Sequence, residues 1–551
     1  MRAPRAGGAA STLRDAAAAA GLAPRTLGTL RRRGVLAPTR PDRLVRALAA
    51  PLRLGTGPAT LCSATAARWP SRSALIDESG ALTYREIDRR GGALAAALRD
   101  EVGIEPGDGV AIMCRNHRGF VEALLAGSRL GADLLLLNTD FPAPQLAQVL
   151  ESASPRVAIL DQEFEQTFGE AGFAGETVAA WHEAAAPGRT IDAMVESAGS
   201  APMPAHRRQG RVVILTSGTT GTPKRAPRTP SLLTLIGPMT TLLSEVPFHA
   251  GEPMLIAPPL FHGFGLAYLG LATLLGAPMV LRRRFDAEAA LAAIDEHRVG
   301  SLIAVPVMLQ RILDLPEPVR GRYDTSCLRA VISAAAPLSS DLATAFASEF
   351  GDLVYNLYGS TETGFGGVAT PDDLRVAPGT VGRPPHGVTV RILDDQGAEL
   401  PTGETGRVFM SGPMVFEGYA DGGSKEIVDG MTSTGDLGHV DERGRLFIEG
   451  RDDDMIVSGG ENVFATEVAD VLARHRGVAD VAVVGVPDEE FGQRLRAFVV
   501  KQEDDVSPDD LKAHVKSNLA RYKVPRDIVF TAEIPRNPTG KVQRSRLEEE
   551  G

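Results

Sequence analysis

The segment TSGTTGTPKRA, Thr216 to Ala226, follows the apolar run VVIL and sets the hydroxyls of Thr216, Ser217, Thr219 and Thr220 beside Gly218, Gly221 and the cation of Lys224. Hydroxyls, backbone N–H groups freed by glycine and one lysine are the groups that wrap phosphate oxygens. A Walker A loop would need glycine where Pro223 stands and Ser or Thr where Arg225 follows the lysine, so this is a phosphate loop of another kind. Taken alone, a plain Ser/Thr/Gly turn is the alternative.

Further constellations occur downstream. In YGSTETG, Tyr358 offers an aromatic plane for a purine, Thr361 a hydroxyl for a phosphate and Glu362 a hard oxygen for Mg²⁺. In STGDLG, Asp436 can accept from both hydroxyls of a ribose, and Arg451 can donate to the same sugar. Lys541 in NPTGK and His262 in PLFHGFG each have an ordinary reading, as an exposed turn lysine and a hydrogen-bonded structural histidine. SGGEN, with Gly459 and Gly460, reads by itself as a glycine turn between strands.

The elements that must position these groups are legible as alternating patterns. VAIMC (Val110–Cys114), DLLLL (Asp133–Leu137), RVAIL (Arg156–Leu160) and VVIL (Val212–Leu215) read as strands, with amphipathic helices YREIDRRGGALAAALRD and GFVEALLAGSRL between them. From Ala59 to Leu281 this alternation predicts an α/β fold on a parallel sheet. A small α+β unit follows, with strands VADVAVVGV and LRAFVVK and a helix begun by Pro508 and ended before Pro525. The expected division is an Arg-rich N-terminal extension over 1–55, a large domain over 56–450 and a small C-terminal domain over 451–551.

Composition narrows the function classes. At 551 residues with 43% hydrophobic and 23% charged residues, the chain is a globular protein of two or more domains. Cys62, Cys114 and Cys327 lack metal-ligand spacing and suit a reducing cytoplasm. The apolar runs fall short of the roughly 18 to 20 residues that span a bilayer. Met1 to Arg53 carries eleven arginines and two aspartates, a net of +9 that leaves −20 on the acidic remainder and argues against nucleic acid as a partner. Within the extension, Leu44, Val45, Leu48 and Leu52 can share a helical face near Arg43, Arg46 and Arg53. A helix packed on its own body is the first expectation for it, with a peripheral membrane contact and a transit peptide as the alternatives.

Six motifs in fixed order carry a resemblance to the adenylate-forming superfamily, which includes acyl-CoA synthetases, luciferases and peptide-synthetase adenylation domains. They are PLFHGFG, SAAAPLS (Ser333–Ser339), YGSTETG, STGDLG, GRDDDMIVSGGENV (Gly450–Val463) and PRNPTGKVQR (Pro535–Arg544), all downstream of the phosphate loop. The resemblance covers roughly Thr56 to Lys541, is nearest to bacterial fatty-acid CoA ligases, and implies a large α/β domain with layered sheets followed by a small mobile α+β domain. It also implies ATP, Mg²⁺ and coenzyme A as partners in the reaction.

The resemblance implies roles as well. Lys541 would bridge carboxylate and α-phosphate as catalytic residue, with Thr361, Glu362 and His262 beside it. ATP would be held by Thr216, Ser217, Gly218, Thr219, Thr220, Gly221, Lys224, Ala335, Ala336, Pro337, Tyr358, Gly359, Ser360, Asp436 and Arg451, and the metal by Thr216 and Glu362. Asp453 would be the hinge, Gly459 and Gly460 the coenzyme A tunnel, and His262, Gly263, Gly265, Ala334 and Ala335 the acyl pocket. The family's amino-acid-activating members carry an aspartate in the position of His262, so an ammonium-bearing substrate is disfavoured here. Ala334 and Ala335 replace the usual glycines. A medium- or long-chain fatty acid is the first expectation for the substrate and an aryl or functionalised acid the second. A ligase loading a separate carrier protein is the alternative within the fold, and an inactive acyl-adenylate or acyl-CoA binding protein is the alternative of another class.

Overall fold

Two mainly parallel sheets, rather than the single sheet the strand pattern suggests, take up the alternating segments of the large N-terminal part. The computed structural model describes residues 24–183, 188–199, 210–216, 224–228, 232–360, 362–415, 425–452, 455–458, 461–488, 492–503, 505–538, 540–543 and 546–547. Strand Ser73–Asp77 pairs with Met279–Val280, so the chain begins one sheet, builds the other, and returns to finish the first. The seven-stranded sheet runs in the order Arg189–Thr190, Glu176–Trp181, Val157–Asp161, Gly109–Met113, Asp133–Leu136, Val212–Thr216, Lys224–Arg228. Only its last pair is antiparallel.

Near-continuous apolar strands are what a parallel sheet covered on both faces requires, and the side-chain period of two sorts them into layers. Val110 and Ile112 face a core shared with the eight-stranded sheet, while Ala111 and Met113 face a separate outer core. Ile303 and Ile332 of the other sheet meet the same shared core, and Leu302 and Val331 point the opposite way. Between the sheets lies helix Arg118–Leu130, buried along nearly its whole length, against helix Tyr84–Ala97, whose N-terminus is closed by a Thr83–Glu86 capping box.

A third sheet is built from Thr380–Gly382, Thr389–Leu393, Gly406–Ser411, Ile427–Val428, Met431–Val440 and Leu446–Arg451. The small C-terminal sheet joins Met455–Ser458, Glu461–Phe464, Val478–Asp488, Gly492–Lys501 and Asp527–Phe530. Helices Ala465–Ala473 and Pro508–Asn518 cover it over a core of Val463, Val468, Leu472, Ala497 and Leu511. Pro508 does begin its helix, capped by Ser507 with Asp510.

The extension is tied to the body. A helix over 24–32 is followed by buried Val35 and by helix Pro41–Leu54. The Arg33 guanidinium donates to the carbonyls of Leu243 (2.7 Å) and Ser244 (3.1 Å), and the Ala250 amide donates to the Arg33 carbonyl. Among the described residues no helix is long and apolar enough to cross a membrane.

Candidate active site

In open α/β sheets ligands collect in the crevice beyond the carboxyl ends of the strands. Thr216, the Ala257–His262 turn, Val305, Ala334 and the Tyr358–Ser360 segment all follow or close the carboxyl ends of such strands. The expected phosphate loop springs from one of them, its ends set by the pairing of Thr216 with Lys224. Ser217, Gly218, Thr219, Thr220 and Gly221 lie outside the described residues, as do Thr361, Asp453, Gly459 and Gly460. The last two connect strands whose pairing closes at Ser458 and Glu461.

His262 caps helix Gly263–Leu275, its Nδ1 accepting from the Phe264 amide at 3.3 Å. Gly265 has no alternative in the next turn, because a Cβ there would stand 2.3 Å from the Pro259 carbonyl oxygen. The turn before His262 is held by a residue the sequence did not single out. Asn116, buried after strand Gly109–Met113, donates to the Pro258 carbonyl at 2.8 Å and accepts from the Leu260 amide at 2.9 Å. Its only sequence signal is a polar residue closing an apolar strand, and nothing local names its partners.

Tyr358, Asp436 and Arg451 come together in the structure. The Tyr358 hydroxyl donates to the Asp436 carboxylate, and the Arg451 guanidinium stands 3.6 Å from the same group. Asp436 and Arg451 are cross-strand partners in the third sheet, which explains why residues fifteen apart meet. Burial raises the Asp436 carboxyl even though Tyr358, Arg451 and Lys541 all pull it down. Ser360 organises the next turn, its Oγ accepting from the amides of Glu362 and Thr363 at 3.1 Å each. That fixes the backbone from which the Glu362 carboxylate projects.

Lys541 arrives from the small sheet. Its amide donates to the Asn537 side chain at 2.9 Å, closing a tight turn through Gly540 at φ +80°. The position for a Gly540 Cβ lies 3.0 Å from Val307 Cγ1 and 3.5 Å from Val305 Cγ2, so the turn rests directly on the carboxyl end of strand Ser301–Ala304. Arg536 braces the turn by donating to the Gly540 carbonyl at 3.1 Å while paired with Asp480 at 2.7 Å. So placed, the ammonium of Lys541 is felt by both Asp436 and His262. Burial, and then Lys541, lower the His262 imidazole to about 4, which keeps it neutral at physiological pH.

Ala334, Ala335, Ala336 and Pro337 follow strand Ala330–Ser333, whose Ser333 pairs with Asn356 two residues before Tyr358. Ala335 holds φ +72°, the region glycine favours. Cys114, His117 and Asp161 form a separate buried cluster with their ligand-capable atoms within 4.8 Å of one another, and hydrogen bonds engage each of them. His117 Nδ1 accepts from the Gly119 amide, its Nε2 bonds Asp161 at 2.7 Å, and the Cys114 thiol donates to the Ile159 carbonyl.

Known proteins are similar to this chain over most of its length. The profile of the AMP-binding enzyme family matches residues 62–420, and that of the AMP-binding enzyme C-terminal domain matches residues 467–541. Feruloyl-CoA synthase of Amycolatopsis sp is 34% identical over 486 residues, covering 87% of this chain and 96% of its own. Fatty acid--[acyl-carrier-protein] ligase ScoC of Streptomyces coeruleorubidus is 32% identical over 500 residues, covering 87% and 93%. The crystal structure of ATP-bound MatB from Rhodopseudomonas palustris superposes with a TM-score of 0.77 at 29% identity, covering 89% of this chain and 98% of that one.

Two outcomes test the site. The unfolded chain takes up a proton at His262 near 6.5 and the folded chain only near 4, so this group's contribution to stability is lost as pH falls through that window. In His262→Gln the melting temperature should drop less between those pH values than in the wild type, and parallel curves would refute a buried neutral imidazole. Gly540→Val should keep a cooperative melt yet slow acyl-adenylate formation by about a hundredfold, the scale of losing one preorganised charge contact. An unchanged rate would mean that the turn need not seat on Val305 and Val307.

Proposed function

Since the chain belongs to the AMP-binding enzyme family and is an AMP-forming acid:CoA ligase, we propose that Lys541, His262 and Asp436 form the centre at which its acid is activated. The observation that carries this is the seat of the Lys541 turn, with Gly540 directly against Val305 and Val307 at the carboxyl end of strand Ser301–Ala304. The substrate carboxylate is ionised at neutral pH and needs no base. Its oxygen attacks the α-phosphorus of ATP, the bond to the β-phosphate breaks, and pyrophosphate departs into the loop Thr216–Lys224. Lys541 stabilises the charge shared by the entering carboxylate and the α-phosphate, while Tyr358, Asp436 and Arg451 hold the nucleoside.

Mg²⁺ suits the oxygen donors of Glu362 and Thr216, and when bound it would supply charge neutralisation on the phosphates. In the second step the thiol of coenzyme A attacks the acyl carbonyl and AMP leaves. Rotation about Asp453 and entry past Gly459 and Gly460 belong to this reading, as does a division of the chain near Arg451. The three thiols, none in a disulfide, support a cytoplasmic setting.

The acid is uncharged beyond its carboxylate. No acidic group replaces His262 to pair with an ammonium, and Phe264 beside it packs against both large cores. A medium- or long-chain fatty acid fits such walls, and the similarity to a fatty acid ligase supports it. One observation favours an aryl or otherwise functionalised acid. Tyr268, on the helix capped by His262 and packed edge-on against Phe264 at 5.3 Å, has a buried hydroxyl with no hydrogen-bond partner among the described residues. An unmatched buried hydroxyl costs about 1–3 kcal/mol, which an acid carrying an acceptor at its far end would recover. The similarity to a feruloyl-CoA synthase points the same way.

Product mass spectrometry with ATP, Mg²⁺, coenzyme A and a panel of straight-chain, cinnamic and hydroxylated cinnamic acids decides the acid. Hydroxylated acids should exceed their unsubstituted parents by about tenfold in kcat/KM, and Tyr268→Phe should erase that ratio without lowering turnover of the parents. Preference for dodecanoate would restore the fatty-acid reading, and adenylate that is transferred only to a carrier protein would replace coenzyme A as acceptor. Lys541→Ala should slow adenylation by roughly a hundredfold or more while sparing thioester formation from supplied acyl-adenylate. Asp453→Pro should do the reverse, and equal loss of both steps in either variant would refute this division.

A further inference from the structure

Large apolar side chains are exposed unevenly over this protein. Among the described residues, six of the nine that stand well clear of their surroundings fall between Leu27 and Leu52. Scattered exposed leucines are ordinary, whereas a contiguous patch marks a contact surface. Four of the six belong to helix Pro41–Leu54, namely Leu44, Val45, Leu48 and Leu52, the last two 68% and 89% exposed. At 100° per residue they fall within about a quarter of the helix circumference.

The same helix is already anchored by a different stripe. Ala47 and Ala50 are buried, and Arg43 donates to the Arg68 carbonyl at 3.4 Å. The leucine stripe therefore faces away from the seam that fastens the helix to the body. Burial on the body explains one apolar face, not the second.

Charge identifies what would cover it. Arg40 stands at the head of the stripe, and Arg46 and Arg53 run along the helix beside it, the first two with side chains 72% and 66% exposed. The helix has one acid, Asp42, already engaged by Arg40 and Arg46. The extension as a whole carries +9 against −20 on the remainder. A second copy docking through this face would set the same arginines against each other across a two-fold axis, a repulsive arrangement. An apolar stripe about 12 Å long on a helix of about 20 Å, with a cationic margin, suits the plane where acyl chains meet anionic headgroups.

We propose that helix Pro41–Leu54 seats this enzyme on anionic lipid bilayers, with Leu44, Val45, Leu48 and Leu52 entering the headgroup boundary and arginines at the phosphates. This is an in-plane contact, not a span. It does not depend on which acid is activated.

Sedimentation of the full-length protein with phosphatidylcholine vesicles, with and without about 30 mol % phosphatidylglycerol, tests it. The wild type should bind the anionic vesicles about tenfold or more better than the neutral ones. Leu48→Asp combined with Leu52→Asp, both at exposed positions, should abolish that binding while leaving the melting temperature and acyl-CoA formation from a water-soluble acid unchanged. Wild-type protein that stays in the supernatant with anionic vesicles, or a double variant that binds as well as wild type, overturns the proposal. A lipid-free mass of two chains that falls to one in the double variant also overturns it and assigns the stripe to a second copy.

Discussion

One cation, Lys541, follows the C-terminal sheet on a short turn that rests on the eight-stranded sheet, and that seat brings its charge to bear on groups of other sheets. The seat is small and apolar: Gly540 against Val305 and Val307. The consequence is electrostatic, because Lys541 then acts on the His262 imidazole and the Asp436 carboxylate together. Charge interactions strengthen steeply as water is excluded. A shift of a few ångströms in the turn would weaken the lysine's effect while leaving every side chain in place. The brace from Arg536 to the Gly540 carbonyl and to Asp480 holds the turn in the shape that reaches the site.

The receiving side is correspondingly stiff. Asn116 spans from the carboxyl end of one sheet to the turn that carries His262 on the other. One residue further, the His117–Asp161 pair is buried, and Asp161 also accepts from the Arg115 amide while the Arg283 guanidinium lies 3.4 Å away. Glu163 extends this network, held near 2 by Arg115, Arg284 and Arg283. Buried groups of this kind are costly unless matched, and the hydrogen bonds among them restrain the relative placement of the elements they join. The network therefore restrains how the two sheets meet beside the turn that carries His262.

How much of this could be read from the sequence follows from what a local pattern encodes. Strand and helix periodicity marked Gly109–Met113, Asp133–Leu136, Tyr84–Ala97 and the Pro508 helix, because period and capping are properties of neighbouring residues. The same pattern merged two sheets into one, because nothing local states that Ser73–Asp77 pairs with Met279–Val280 across two hundred residues. Tyr358, Asp436 and Arg451 were found through their motifs and are indeed neighbours. Asn116, Val305 and Val307 were not, since their importance lies wholly in distant partners. Gly540 was visible as a turn glycine, but its need to lie flat on two valines was not.

Ala335 carries backbone strain in the segment that follows strand Ala330–Ser333. Its φ of +72° costs an alanine about 1–2 kcal/mol that glycine would not incur. Proteins rarely keep such a strain without a compensating contact, and strained residues cluster at binding sites. The methyl packs with the outer core of the eight-stranded sheet, while the residue follows the strand that runs beside Tyr358. Glycine would loosen this wall by restoring backbone freedom and removing the one side-chain carbon that fills it. The strain at Ala335 is therefore set against packing on the same core that takes up Leu338 and Phe346, so the alanine contributes to the sheet's outer layer where a glycine would contribute nothing.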